Sequence, residues 1–270
     1  MITQTAPMIG NELREHYQAR GYALGPRLLD QATISALTAE LDRIIETGSQ
    51  GDPACMVRDM GQGGHPVWQC VNVCRLSPVF GSVVFSPVLA ELAATLSGTR
   101  ELRLWHDQIQ YKPTGTGGVN HWHQDGPYWP CLANTESMVT AWIALDDADV
   151  DNGCMHMVPA SHQWGNAIEF LQANRSDDFH ALPEHFGDHA VSTVPCPVPA
   201  GHVHFHHTHT WHGSPANTSA RPRRALAVHF LTERVTRSSE NGHMLRQLIT
   251  SEIGEPIRGE PFPLLWSAAD

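Results

Sequence analysis

The chain has 270 residues, 41% hydrophobic and 17% charged, the balance of an ordinary globular protein with room for a substantial core. Seventeen basic residues against 28 acidic ones give a formal charge of −11, which argues against nucleic acid or an anionic membrane surface as the partner, since both need a positive footprint. No run of about 18 apolar residues suggests a membrane span, and Met1 to Thr5 lack the basic and apolar regions of a secretory signal, so a cytoplasmic protein is expected.

In chain order, a frayed start leads into a short helix from Asn11 to Arg20, stopped by Gly21. Asp30 caps a clear amphipathic helix in which Ile34, Leu37, Leu41, Ile44 and Ile45 share a stripe, and Gly48 supplies its left-handed stop. Residues 48–66 are rich in Gly and polar groups and read as a long loop of functional character. Ser86, Pro87 and Gly98 bound another helix. A strand-like run from about residue 101 ends at Lys112-Pro113, and Asn120 to Asp125 form the next strand. Met138 to Leu145 is a strong strand, Asp151-Asn152-Gly153 a turn, and Cys154 to Pro159 a short strand. Residues 161–200 are polar and irregular, in the manner of a lid or insertion. A His-rich strand covers 202–212, and Arg224 to Leu231 is the last strong strand. Residues 240–270 are weakly helical with a Pro-rich tail. Helices over 10–98 followed by many strands over about 101–232 predict one domain, 1–270, mainly β with flanking helices around a double-sheet barrel. The six cysteines, with no C-x-x-C pair, read as reduced thiols.

The chemistry centres on Asn120-His121-Trp122-His123-Gln124-Asp125. In an extended strand residues i and i+2 share a face, so the His123 imidazole and the Asp125 carboxylate converge on one ion. Trp122, Tyr128 and Trp129 frame the pair as a pocket wall rather than a solvent face. A third ligand is needed, and Phe205 to Ser214 offers too many histidines for position alone to choose. Two His and one carboxylate with three open positions form the facial triad of non-haem Fe(II) oxygenases. His212 is favoured by its downstream neighbours, Gly213-Ser214 and, eleven residues on, Arg223. Arginine suits the distal carboxylate of a 2-oxoacid, as a fixed fork of permanent charge. Arg223 and Arg224 open a strand, so only one of them points inward.

These segments resemble the phytanoyl-CoA dioxygenase family of Fe(II)/2-oxoglutarate oxygenases. The likeness runs in order through Gly21-Tyr22, Lys112-Pro113, His123-Gln124-Asp125, Ala141-Trp142, Asn152-Gly153-Cys154-Met155, Val158 to His162, His212-Gly213-Ser214 and Arg223-Arg224-Ala225. The resemblance implies a double-stranded β-helix (jelly-roll, cupin-like) core, with His123, Asp125 and His212 as iron ligands and Arg223 as the 2-oxoglutarate clamp. It implies Ser214 as a helper, and Gln108, Trp142 and Gln124 beside the cosubstrate. Halogenating relatives carry a small residue in place of Asp125, so a carboxylate there implies hydroxylation or another oxidation. The cofactors implied are Fe(II), 2-oxoglutarate and O2, the partner a small organic molecule, and the assembly a monomer or homodimer. Trp122, Tyr128 and Trp129 are candidate substrate walls. Two other readings stay open, a non-catalytic metal-binding jelly roll and a zinc hydrolase. Both leave Arg223 and Ser214 unexplained.

Overall fold

In the computed structural model, which describes residues 9–268, short polar caps and glycines set the helix boundaries as the sequence predicts. Helix α1 (Asn11–Arg20) stops at Gly21, whose φ of +82° an L side chain rarely adopts. Helix α2 (Gln31–Thr47) starts where the Asp30 carboxylate accepts the Thr33 N–H at 2.8 Å, and it buries Ile34, Leu37, Leu41 and Ile44. Helices α3 (Val73–Leu76), α4 (Pro78–Val84) and α5 (Pro87–Ser97) follow, and α6 (Ile168–Ala173) lies far downstream. The frayed start falls on residues 1–8, outside the described residues. One reading is corrected: Pro78–Ser97 is long and apolar enough to cross a membrane by length and composition. Phe85 and Ser86 break it into two helices, most of it is buried, and α5 packs on the large sheet.

The strands are β1 (Tyr22–Arg27), β2 (Met56–Asp59), β3 (Trp68–Val71), β4 (Glu101–Lys112), β5 (Asn120–His123), β6 (Leu132–Ala133), β7 (Val139–Ala144) and β8 (Met155–Met157). After the short hairpin β9 (His185–Phe186) and β10 (His189–Ala190) come β11 (Val194–Cys196), β12 (His202–His207), β13 (His212–Ser214), β14 (Arg223–Thr232), β15 (Thr236–Arg237) and β16 (Leu264–Ser267). One sheet runs β1-β12-β7-β14-β4-β3-β2, with β16 on β4; the other runs β11-β8-β13-β5. All pairings within both sheets are antiparallel, the arrangement of a jelly roll with helices outside it.

Period-two alternation sorts the large sheet into two faces. Val139, Ala141 and Ile143 of β7, Leu226, Val228 and Phe230 of β14, and Val203 and Phe205 of β12 join the core under the helices. Their neighbours point to the second sheet, and the register lines them up in rungs. His206, Thr140, His229 and His106 form one rung; His204, Trp142, Ala227 and Gln108 form the next; Arg223 sits opposite Lys112 at the far end.

Several expectations change. Loop 48–66 contains β2, which pairs with β3, and β1 pairs with β12 in a stretch to which the sequence reading assigns no element. The tail is tied to β4 through β16. The His-rich run is two strands, because the chain turns at Thr208–Thr210 and crosses from the large sheet to the small one. Asp125 is not in a strand: β5 ends at His123, and Asp125 has helical dihedrals, φ −70° and ψ −49°. All six cysteines are free thiols.

Burial pushes His156 and His243 down to about 4 and His207 down to about 3. An unfolded chain protonates these rings near pH 6.5, whereas the fold keeps them neutral. Their contribution to stability is therefore complete above about pH 6.5 and is lost as pH falls toward 4. We predict that the thermal midpoint of the metal-free protein drops between about pH 7 and about pH 5, with more than one proton taken up per molecule unfolded. A calorimetric profile flat over that range would contradict this.

Candidate active site

Three chain segments bring His123, Asp125 and His212 together, with ligand atoms all within 4.8 Å of one another. His123 closes β5 and His212 opens β13, directly opposite it in register. Gly213 permits that approach, since a Cβ there would meet the Asn120 carbonyl oxygen at 2.9 Å and the Trp122 nitrogen at 3.1 Å. The turn after β5, rather than strand alternation, swings Asp125 under both rings. Its Oδ1 lies 3.6 Å from His123 Nε2 and 3.5 Å from His212 Nε2.

The tautomers are set by the partners. His123 Nδ1 lies 2.8 Å from the His121 carbonyl and His212 Nδ1 lies 2.9 Å from the Thr210 carbonyl. A carbonyl only accepts, so each Nδ1 carries a proton and each Nε2 turns a lone pair toward Oδ1. Burial alone would lower the His212 pKa, but the Asp125 charge and hydrogen bond outweigh it and raise it. Burial would likewise raise Asp125, yet His212 and the hydrogen bonds around the carboxylate hold it well below the usual range. A spot that attracts a proton to Nε2 beside an ionised carboxylate attracts a cation for the same reason. Two neutral imidazoles and one carboxylate fit Fe(II), and equally catalytic zinc.

The other oxygen of Asp125 belongs to the protein. Oδ2 accepts the Thr140 hydroxyl at 3.1 Å and His206 Nε2 at 3.2 Å. Thr140 has one proton and spends it there, so His229 Nδ1, 2.8 Å away, must donate to the hydroxyl. Burial lowers His206 and His229 to about 4, so both act as neutral donors. Sequence reading misses this support: Thr140, His206 and His229 become neighbours only through strand register.

A narrow cavity, open at one end, runs from the triad toward Arg223 between the sheets. Arg223 is 2% exposed, donates from Nη2 to Ser214 Oγ at 3.2 Å and lies 5.6 Å over the Trp142 ring, while its Nε has no partner. Burial pushes its pKa down to about 10. Arg224 faces the other way and pairs with Asp146 at 2.7 Å. Lys112, absent from the expected site, is fully buried opposite Arg223 and donates to the Ser214 and Pro215 carbonyls at 2.9 and 2.5 Å. Burial and the Arg223 charge push it well below its usual value. A buried guanidinium at the cavity's end, with no carboxylate among the lining residues beyond Asp125, makes an anion pocket.

Gln108 and Trp142 line this cavity, as expected of positions near the cosubstrate. Gln124 does not, which corrects its expected place beside the cosubstrate. Its amide is spent on backbone, donating to the Gly165 and His209 carbonyls at 2.9 and 2.7 Å and accepting the Ala167 N–H at 2.7 Å. A wider outer cleft continues from the triad and holds Trp122, Tyr128 and Trp129 on its wall. Tyr128 is half exposed and edge-on to His123, Trp122 stacks on Phe179, and Trp129 is packed against Trp105 and His229.

A family model described as phytanoyl-CoA dioxygenase (PhyH) matches residues 17–225. Ectoine dioxygenase of Bordetella bronchiseptica is 28% identical over 229 residues, covering 77% of this chain and 71% of that protein. Among solved structures, the non-haem alpha-ketoglutarate-dependent carbocyclase SnoK from nogalamycin biosynthesis is 30% identical with a TM-score of 0.75, over 95% of this chain and 96% of the other. The epimerase SnoN, solved with Fe3+, alpha-ketoglutarate and nogalamycin RO, shares the fold at 23% identity and a TM-score of 0.72, over 95% and 98% of the two chains.

Thr140 tests the support of the carboxylate. Thr140→Val keeps the shape but strands His229 Nδ1 and removes one of the two donors to Oδ2. We predict a folded protein whose Zn(II) affinity, measured by calorimetry, falls about 10-fold to 100-fold. Unchanged affinity would mean that the orientation of Asp125 does not depend on this bond.

Proposed function

The chain belongs to the phytanoyl-CoA dioxygenase family and is an Fe(II)- and 2-oxoglutarate-dependent dioxygenase, and from that premise we propose that it hydroxylates a C–H bond of a small, largely apolar molecule that carries an anionic group. His123, Asp125 and His212 would hold the metal, and Asp125 Oδ1 would be the oxygen free for it, since Oδ2 accepts from Thr140 and His206. Arg223, with Ser214 and Lys112 beside it, binds the far carboxylate of 2-oxoglutarate, while Trp142 supports the guanidinium from below. Iron, 2-oxoglutarate and O2 together supply the oxidation, which ends in succinate, CO2 and one oxygen atom for the substrate. The protein's part is to orient the substrate bond over the triad and to keep water from it.

The observation that carries this reading is Arg223, buried with an unpartnered Nε at the end of a cavity that begins at the triad. A storage site or a zinc hydrolase has no use for a buried cation there. The substrate reading rests on the outer cleft. Met56, Met60, Val71, Trp122 and Met244 give it apolar walls, and Asp125 is the only carboxylate among its lining residues. Arg58 and Arg175 also line it, are exposed, and make no ion pair among the described residues. In a chain with an excess of acids, two arginines without a carboxylate partner at the cleft mouth favour a carboxylate or phosphate on the substrate. SnoK from nogalamycin biosynthesis, similar over nearly its whole length, supports a ring-bearing natural-product scaffold as the body of that molecule.

Anaerobic addition of Fe(II) and then 2-oxoglutarate should raise a weak visible charge-transfer band, and Arg223→Ala should abolish the band while leaving bound metal near the wild-type level. Loss of metal in Arg223→Ala would remove its assigned role. In substrate screens read by succinate release, acidic candidates should turn over, and Arg58→Ala with Arg175→Ala should raise their KM by about tenfold or more. Equal turnover of acids and their methyl esters would reject the anionic substrate.

A further inference from the structure

The residues beside the three triad side chains all face the same way, toward residues 161–191. Trp122 precedes His123; it stacks on Phe179 with ring centres 4.9 Å apart and donates Nε1–H to the Phe179 carbonyl at 2.8 Å. Trp211 precedes His212; its N–H donates to Ser161 Oγ at 2.8 Å, and its ring packs against Trp164, Phe170 and Phe186. Gln124 lies between His123 and Asp125, is fully buried, and ties three segments with one amide. Two of its bonds reach Gly165 and Ala167, the start of α6, and the third reaches His209 in the turn that carries the chain to His212. On its far side the same segment meets the outer cleft through Leu171, Gln172 and Arg175.

We propose that Gln124 is a positioning residue that couples residues 161–175, the wall of the substrate cleft, to occupancy of the metal triad. The inference rests on the assignment of His123, Asp125 and His212 as metal ligands. Gathering these three on one ion fixes the loop on either side of Gln124 and the turn at His209. Three hydrogen bonds then pass that order to Gly165 and Ala167, and so to α6. By linkage the effect is mutual: whatever holds α6 against the cleft tightens the triad by the same factor. An amide suits this place because it needs both donors and an acceptor at once. A carboxylate would set oxygen against two carbonyls, and an apolar side chain would leave three backbone groups without this partner, two of them in buried residues.

The test is hydrogen exchange with Zn(II) as the probe, since zinc needs neither O2 nor turnover. In the wild-type protein Zn(II) should slow exchange of peptides covering 163–175 by about fivefold or more, in addition to those holding the ligands. In Gln124→Glu and Gln124→Leu, Zn(II) should still bind by calorimetry, while exchange over 163–175 no longer responds to it. Trp122→Phe, which keeps the stack on Phe179 and loses the Nε1–H bond, should retain most of the response. Zinc binding that leaves the wild-type segment unchanged would overturn the proposal, and so would a full response in both Gln124 variants. Failure of Zn(II) to bind the wild-type protein at all would overturn the metal reading itself.

Discussion

One buried negative charge organises the centre of this protein. Asp125 sits where the two sheets face each other, and an uncompensated carboxylate there would cost several kcal/mol. Four strands meet around it. β5 and β13 supply the rings that face Oδ1, while β7 and β12 supply Thr140 and His206 for Oδ2. A shift of any of these strands by one residue would turn its contribution out of the barrel and leave the charge alone. The carboxylate thus ties register across both sheets as well as completing the candidate metal triad. His206 meets the same need: a neutral imidazole donates to the carboxylate without adding a second buried charge.

The other end of the cavity carries the opposite imbalance. Arg223 and Lys112 are buried opposite each other; burial lowers the preference of both for a proton, and the Arg223 charge lowers that of Lys112 further. The protein supplies carbonyls and the Ser214 hydroxyl, which satisfy some of the donors and none of the charge. An anion in the cavity would meet Arg223, which lines it, so its binding would offset the cost of burying that guanidinium. Any ligand that binds there and not to the unfolded chain stabilises the folded state by mass action.

How much of this is legible in the sequence depends on whether the signal is local. The period of α2 and α5, the long strands β4, β7 and β14, and the opposite facing of Arg223 and Arg224 are readable because alternation and capping are properties of adjacent residues. His123, Asp125 and His212 are readable because their residue types are rare in combination with Arg223. Strands of two to four residues such as β2 and β3 leave no period to detect. Lys112 is visible as part of a motif but not as a site residue, since its partner Ser214 is 102 positions away on the other sheet and only the facing of the two sheets brings them together. Strand alternation puts Asp125 in the right place for the wrong local reason: a turn, not a continued strand, delivers it. Gln124 is misplaced by sequence reading because adjacency to two site residues says nothing about which face a side chain takes.

That last point reaches beyond one glutamine. A ligand on a strand that lines a barrel always has neighbours pointing the other way. In a plain jelly roll those neighbours would meet solvent or helices. Here they meet residues 161–191, whose aromatic side chains close around Trp211 and Trp122 and whose backbone is held by Gln124. The apolar cluster formed there is separate from the core under the helices. The segment that bounds the substrate cleft is thereby packed on the backs of the triad rather than on the body of the domain. Geometry at the triad and shape at the cleft then share one set of contacts, so a change in either must be felt by the other.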